Sequence, residues 1–197
     1  MKSAITTEQI KALRDSTGVS VMQCKKALEE AGGDMNKALV IMRKKSSEVA
    51  SKKAGRALGA GTVQSYIHTG GLIGAIVELS SETDFVARND EFKTLARELA
   101  MQVAASDPQF LKREEVTEKD LKAAKEVFEK EAGDKPEAVR ERIVQGKIDS
   151  YLKERVLLEQ AYIKEPDKTV GNLVEEAALK FGERVEIRRF ARFATGE

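Results

Sequence analysis

Between Thr6 and Met42 the chain writes one pattern three times: a residue able to cap a helix N-terminus, then apolar side chains at the spacing of one helical face. Thr6 with Gln9 has the form of a capping box, and Ile10 and Leu13 share a face until Gly18 interrupts. Ser20 with Gln23 repeats it, followed by Val21, Cys24, Ala27, Leu28 and Ala31 before the Gly32-Gly33 pair. Asp34 can cap a third helix whose stripe is Met35, Ala38, Leu39 and Met42. Stripes this short and this close hide their apolar faces against one another, so residues 1–45 are expected to form a three-helix bundle. A bundle of about 40 residues is near the lower limit of independent stability, and its expected role is to dock a partner. Cys24, the only cysteine, falls on the second stripe with no His or second Cys nearby, and reads as a small buried hydrophobe.

Arg43, Lys44, Lys45, Lys52, Lys53 and Arg56 make the following stretch basic and poor in aliphatic residues. It reads as a basic tail of the third helix or as a solvated linker, and the linker, over 46–56, is the preferred reading. No aromatic side chain is interleaved for stacking on bases, and Lys plus Arg number 34 against 33 Asp plus Glu, a net charge of +1. Direct nucleic-acid binding is therefore not expected.

Residues 57–197 read as an α+β core. Thr62–His68 and Leu72–Ser80 are β-prone runs joined through Thr69, Gly70 and Gly71, an antiparallel hairpin. A segment rich in acids, Ser81–Asp90, then feeds a helix capped by Asn89 or Asp90, with Phe92, Leu95, Ala96, Leu99 and Val103 on one face. Within that segment Phe85 and Val86 are large apolar residues among polar ones; they fold into the core or stand out as a contact patch, and pattern alone favours the core. Thr117 with Asp120 opens a charged helix that Gly133 breaks, and Pro136 opens another at its first position, whose stripe runs through Val156 towards Tyr162. The two form a helical hairpin over about 117–163. Thr169 caps a further amphipathic helix stopped by Gly182, and Val185 and Ile187 begin a closing strand whose phase slips at Arg188-Arg189. Three strands leave one sheet face for helices and the other for something else, such as a second subunit.

Several chemistries find no support. The acids Glu78, Glu82, Asp84, Asp90 and Glu91 lack the ligand spacing of a calcium loop, and the lone His68 has no nucleophile beside it. Gly55, Gly59 and Gly61 are not followed by the Lys of a phosphate loop. No metal, cofactor or covalent chemistry is expected. Charged residues are 34% of the chain, with no apolar run near the roughly 20 residues that span a bilayer and no signal-peptide pattern. A cytoplasmic protein away from membranes is the expectation.

Two separated motifs carry a family resemblance. Leu13-Arg14 with Thr17-Gly18-Val19-Ser20-Val21-Met22-Gln23-Cys24-Lys25-Lys26-Ala27-Leu28, and then Thr83-Asp84-Phe85-Val86-Ala87-Arg88, resemble elongation factor Ts nearly end to end. The first resembles that family's ubiquitin-associated-like bundle and the second its nucleotide-exchange signature. The resemblance implies a guanine-nucleotide exchange factor for the GTPase elongation factor Tu. It implies docking through Leu13, Arg14, Thr17, Gly18, Val19, Met22 and Lys25. It also implies an exchange motif, Thr83, Asp84, Phe85 and Val86, that enters near the Mg²⁺ and phosphate site of the GTPase, which turns the expectation for Phe85 from core to contact.

Two departures qualify the likeness. The chain is shorter than family members with two core subdomains, which makes homodimerisation through the sheet an expectation. Met101-Gln102-Val103-Ala104-Ala105 resembles a family helix segment that often carries His where this chain has Gln102, so Gln102 is a candidate second contact. From the residues alone, the rival readings are an adaptor built on the bundle and, further off, a hydrolase using Glu82 and Asp84.

Overall fold

A computed structural model describes residues 5–196. Helices α1 (Thr7–Thr17), α2 (Val21–Glu30) and α3 (Met35–Lys53) form the expected bundle. The capping box closes in both directions between Thr6 and Gln9, and Gly18 takes the left-handed conformation, φ 66°, that ends α1. Ser20 accepts from the Gln23 N–H and Asp34 from the Lys37 N–H, capping α2 and α3. Leu13, Cys24, Ala27, Leu28 and Ala38 are wholly buried in one cluster that also takes in Leu179.

The preferred linker does not exist as such over most of its length, because α3 continues to Lys53. Ser46 is buried, its hydroxyl donating to the Arg43 carbonyl, and Val49 packs on the bundle cluster. The helix is held from outside as well: Ser47 donates to Glu175, and Lys53 donates to the Gly182 carbonyl at 2.6 Å. Partners more than a hundred residues away decide this helix, and local composition does not carry them.

Strands β1 (Ala60–Ile67) and β2 (Ile73–Ser81) form the hairpin, with Gly70 and Gly71 at φ 94° and 72° in its turn. Helices α4 (Asp84–Ala87) and α5 (Asp90–Ser106) follow, and Asn89 Oδ1 accepts the Glu91 N–H at 2.8 Å to cap α5. Helices α6 (Glu118–Ala132) and α7 (Glu137–Arg155) make the helical hairpin around Ala132, Val144, Ile148, Leu152 and Val156. Pro136 is the N-cap of α7, one place before the expected first position.

The hairpin also ends sooner than its stripe implies. The Arg155 carbonyl accepts from the Gln109 and Phe110 N–H groups, and Leu157 donates to the Phe110 carbonyl, so an isolated parallel bridge between Phe110 and Val156 ends the helix and only a 3-10 turn, Leu157–Glu159, follows. Tyr162 therefore lies in a short strand, β3 (Ala161–Tyr162), paired antiparallel with β4 (Glu165–Thr169), a ladder the sequence reading does not contain. Helix α8 (Val170–Phe181) and strand β5 (Val185–Ala194) complete the chain, and β5 joins the antiparallel sheet in the order β1-β2-β5. Arg188 and Arg189 are both exposed, the expected break in alternation.

The chain divides into two compact units. One comprises residues up to Val63 with Glu78–Ala96 and Asn172–Arg188; the other comprises Gln64–Val77, Arg97–Gly171 and the segment from Arg189. The bundle, the Ser81–Arg88 segment and α8 from Asn172 onward belong to the first unit; the helical hairpin and the β3-β4 ladder belong to the second.

Candidate functional site

The expected exchange motif, Thr83–Val86, lies in a single helical turn gripped from its flanks. Ser81, fully buried, donates its hydroxyl to the Thr83 carbonyl at 3.0 Å. Thr83 has extended dihedrals, as an N-cap should, yet makes no side-chain cap bond. Its N–H and hydroxyl instead donate to the two carboxylate oxygens of Glu183, at 3.0 and 2.6 Å. The turn α4 then closes through Ala87 N–H to the Thr83 carbonyl and Arg88 N–H to the Asp84 carbonyl. Val86 and Ala87 are buried and root the turn in its unit.

Phe85 points the other way and is 82% exposed. The two adjacent apolar residues thus split between the readings: Val86 is core, and Phe85 is not. A Phe side chain left in water forgoes roughly 1.5–3 kcal/mol of burial, a cost that a covering partner would recover. Asp84 pairs with Arg88 at 3.0 Å across one turn, and both are largely exposed, so the pair adds at most about 1 kcal/mol. Behind the turn, Glu82 accepts the Arg184 N–H and faces Arg56 and Lys53. The Arg184 hydrogen bond, aided by Arg56 and Lys53, holds the Glu82 carboxyl below the usual glutamate value.

On the bundle, the expected docking residues separate into surface and interior. Arg14, Met22 and Lys25 are exposed, Met22 by 62%, and Met22 and Lys25 stand one turn apart on α2. Val21 and Val40, absent from the expected set, add exposed apolar surface. Leu13 and Val19 are buried at 0% and 3% and cannot touch a partner directly; they hold the bundle together. Thr17 donates its hydroxyl to the Leu13 carbonyl at 2.7 Å and so braces the end of α1. Gly18 is exposed, and the Lys180 side chain lies so close over it that an added Cβ would meet Lys180 Cε at 2.7 Å.

Gln102 is likewise no surface contact. It is 1% exposed, its amide nitrogen donates to the Ala161 carbonyl and Gln160, and its oxygen accepts the Ile163 N–H at 2.9 Å. A buried amide with both ends bonded is fully employed in holding the β3-β4 ladder on α5.

Among the described residues no group of three His, Cys, Asp or Glu side chains comes together to hold a metal, and no helix is long and apolar enough to cross a membrane. Glu183, the partner of Thr83, carries no local signal, since the two are 100 residues apart.

The family model described as elongation factor TS matches residues 5–197. The chain belongs to the elongation factor Ts family. Elongation factor Ts of Thermodesulfovibrio yellowstonii is 47% identical over 195 residues, 98% of both chains. The elongation factor Ts proteins of Desulforamulus reducens and Syntrophomonas wolfei are 48% and 49% identical over 98% of this chain and 90% and 91% of their own length. Membership in the elongation factor Ts family gives the chain its place among translation elongation factors. The N-terminal bundle and the Thr83–Val86 turn, the two motifs that carried the resemblance, lie in the same compact unit.

Proposed function

We propose that this chain docks on elongation factor Tu and accelerates GDP release without making or breaking a covalent bond. The observation that carries the reading is the exposure of Phe85 on a rooted turn. A large apolar side chain held in water on a turn whose neighbours are buried is suited to entering another protein. Arg14, Met22 and Lys25 dock the bundle, Phe85 acts as an apolar wedge, and Asp84 brings a carboxylate near the bound Mg²⁺. A GTPase holds GDP through phosphate contacts and Mg²⁺, and disturbing the metal leaves phosphate charge uncompensated. The coupling is reciprocal: the factor weakens nucleotide binding as much as nucleotide weakens factor binding, so incoming GTP displaces it.

The deciding experiment loads elongation factor Tu with a fluorescent GDP analogue and follows release into excess GDP with substoichiometric amounts of this chain. Acceleration with multiple turnovers is expected. An unchanged rate with an active GTPase would favour an adaptor built on the bundle.

A second copy of the chain is the further partner we infer, seated on the open sheet face. Ile67, Ile76 and Phe193 are exposed, one on each strand, and the Ile67 side chain lies over Gly74, where an added Cβ would come within 2.6 Å of it. Apolar side chains on one face of a three-stranded sheet call for a cover.

A further inference from the structure

Every residue from Leu179 to Arg184 holds a neighbour in the unit that carries the bundle and the exchange turn. Leu179 is part of the bundle cluster. Lys180 lies over Gly18 and pairs its ammonium with Glu91 at 2.9 Å. Phe181 meets the edge of Phe92 with ring centres 5.6 Å apart. The Gly182 carbonyl accepts from Lys53 at the end of α3. Glu183 takes both donors of Thr83, and the Arg184 N–H donates to Glu82. One short junction between α8 and β5 thus touches the docking bundle at one end and the exchange turn at the other.

We propose that this junction sets the exchange turn relative to the docking bundle, with Glu183 as the positioning residue that fixes Thr83 and so aims Phe85. The inference rests on the exchange-factor reading given above. A four-residue helix has no cooperativity of its own to keep its geometry. Val86 and Ala87 root it by burial, but nondirectional packing does not by itself set the rotation of the turn. Direction comes from the hydrogen bonds to Thr83, and an ionised carboxylate, which only accepts, matches its two donors. With the turn already fixed, binding loses less conformational freedom in ordering Phe85. Because the bundle supplies the docking contacts and Phe85 the wedge, loosening the turn should reduce what the bound factor does more than how well it docks.

The test compares Glu183→Ala with Glu183→Gln. The Gln amide can accept the Thr83 N–H through oxygen and donate to the hydroxyl through nitrogen, so it keeps both bonds without the charge. Release of the GDP analogue from elongation factor Tu is measured against the concentration of each variant. Glu183→Ala is expected to lower the saturating rate by about tenfold and leave the half-saturating concentration within about twofold, while Glu183→Gln stays within about threefold of the parent rate. Equal losses in the Ala and Gln variants, a loss confined to half-saturation, or no loss in the Ala variant would each overturn the positioning role.

Hydrogen exchange at the Thr83 amide in the free chain supplies an arm without the GTPase. It should speed up by about tenfold in Glu183→Ala and hold in Glu183→Gln, and an unchanged rate in the Ala variant overturns the clamp. If the parent chain fails to release GDP, the exchange reading falls and the positioning role in exchange falls with it. The Thr83 amide then still reports whether the clamp exists, so the two failures are told apart.

Discussion

Phe85 and Val86 stand side by side on a single helical turn and face opposite fates: Val86 and Ala87 root the turn, and Phe85 lies on its unrooted side. The asymmetry makes a sharp prediction. Phe85→Ala removes an exposed side chain, so its unfolding free energy should stay within about 0.5 kcal/mol of the parent, while GDP release slows by about tenfold or more. Stopped-flow release and urea denaturation on the same preparation check both halves, and full exchange activity would sink the wedge role. Val86→Ala should do the reverse in part, losing about 1–3 kcal/mol through a buried cavity. Glu82 supplies a pH dependence. Its folded pKa is depressed below the ordinary 4.5, chiefly by the Arg184 N–H, so its contribution is present above 4.5 and lost as pH falls through the folded value. Melting temperature should therefore drop as the solution is acidified below 4.5, and Glu82→Gln should flatten part of that drop.

At the scale of elements, α3 shows how far long-range contacts extend a helix that composition does not announce. Ser46, Ser47, Lys52 and Lys53 read as linker residues, but Ser46 is buried and Ser47 and Lys53 are bonded to the segment that contains α8 and Gly182. Proline at Glu48, an exposed position in the helix interior, distinguishes the alternatives. Glu48→Pro should destabilise the protein by about 3 kcal/mol and reduce helical circular dichroism, whereas a linker would tolerate it. Helix α7 errs in the opposite direction. Its apolar stripe continues past Arg155, but Phe110 captures the backbone at that point and the chain turns into the β3-β4 ladder. Gln102 belongs to the same lesson: a polar residue bordering an apolar stripe looks available, and the ladder it holds is invisible until Gln160, Ala161 and Ile163 are brought beside it.

For the molecule as a whole, the open question posed by the sheet is what covers Ile67, Ile76 and Phe193. Light scattering of the parent chain is expected to give a dimer, and Ile76→Lys should convert it to a monomer by placing a charge in the covered apolar face. A strict monomer in the parent would remove the second copy as the cover. The three-helix bundle and the Thr83–Val86 turn fall within one of the two compact units, and residues from three stretches of the chain build that unit. No stretch read alone contains it.

Local signals were enough to determine the caps of α1, α2 and α3, the Gly70-Gly71 turn, the amphipathic α8 and the alternation of β5, because each depends on neighbours within a few residues. The motifs Thr17–Leu28 and Thr83–Arg88 were legible for the same reason, and they carried the family. Which motif residues face outward was decided only by the tertiary structure. Leu13 and Val19 share a motif with Arg14 and Met22 yet lie in the core, since burial is set by the helices packed opposite them. The hold of Glu183 on Thr83 joins residues 100 apart, and sequence spacing contains no term for a contact that exists only after the chain has returned on itself.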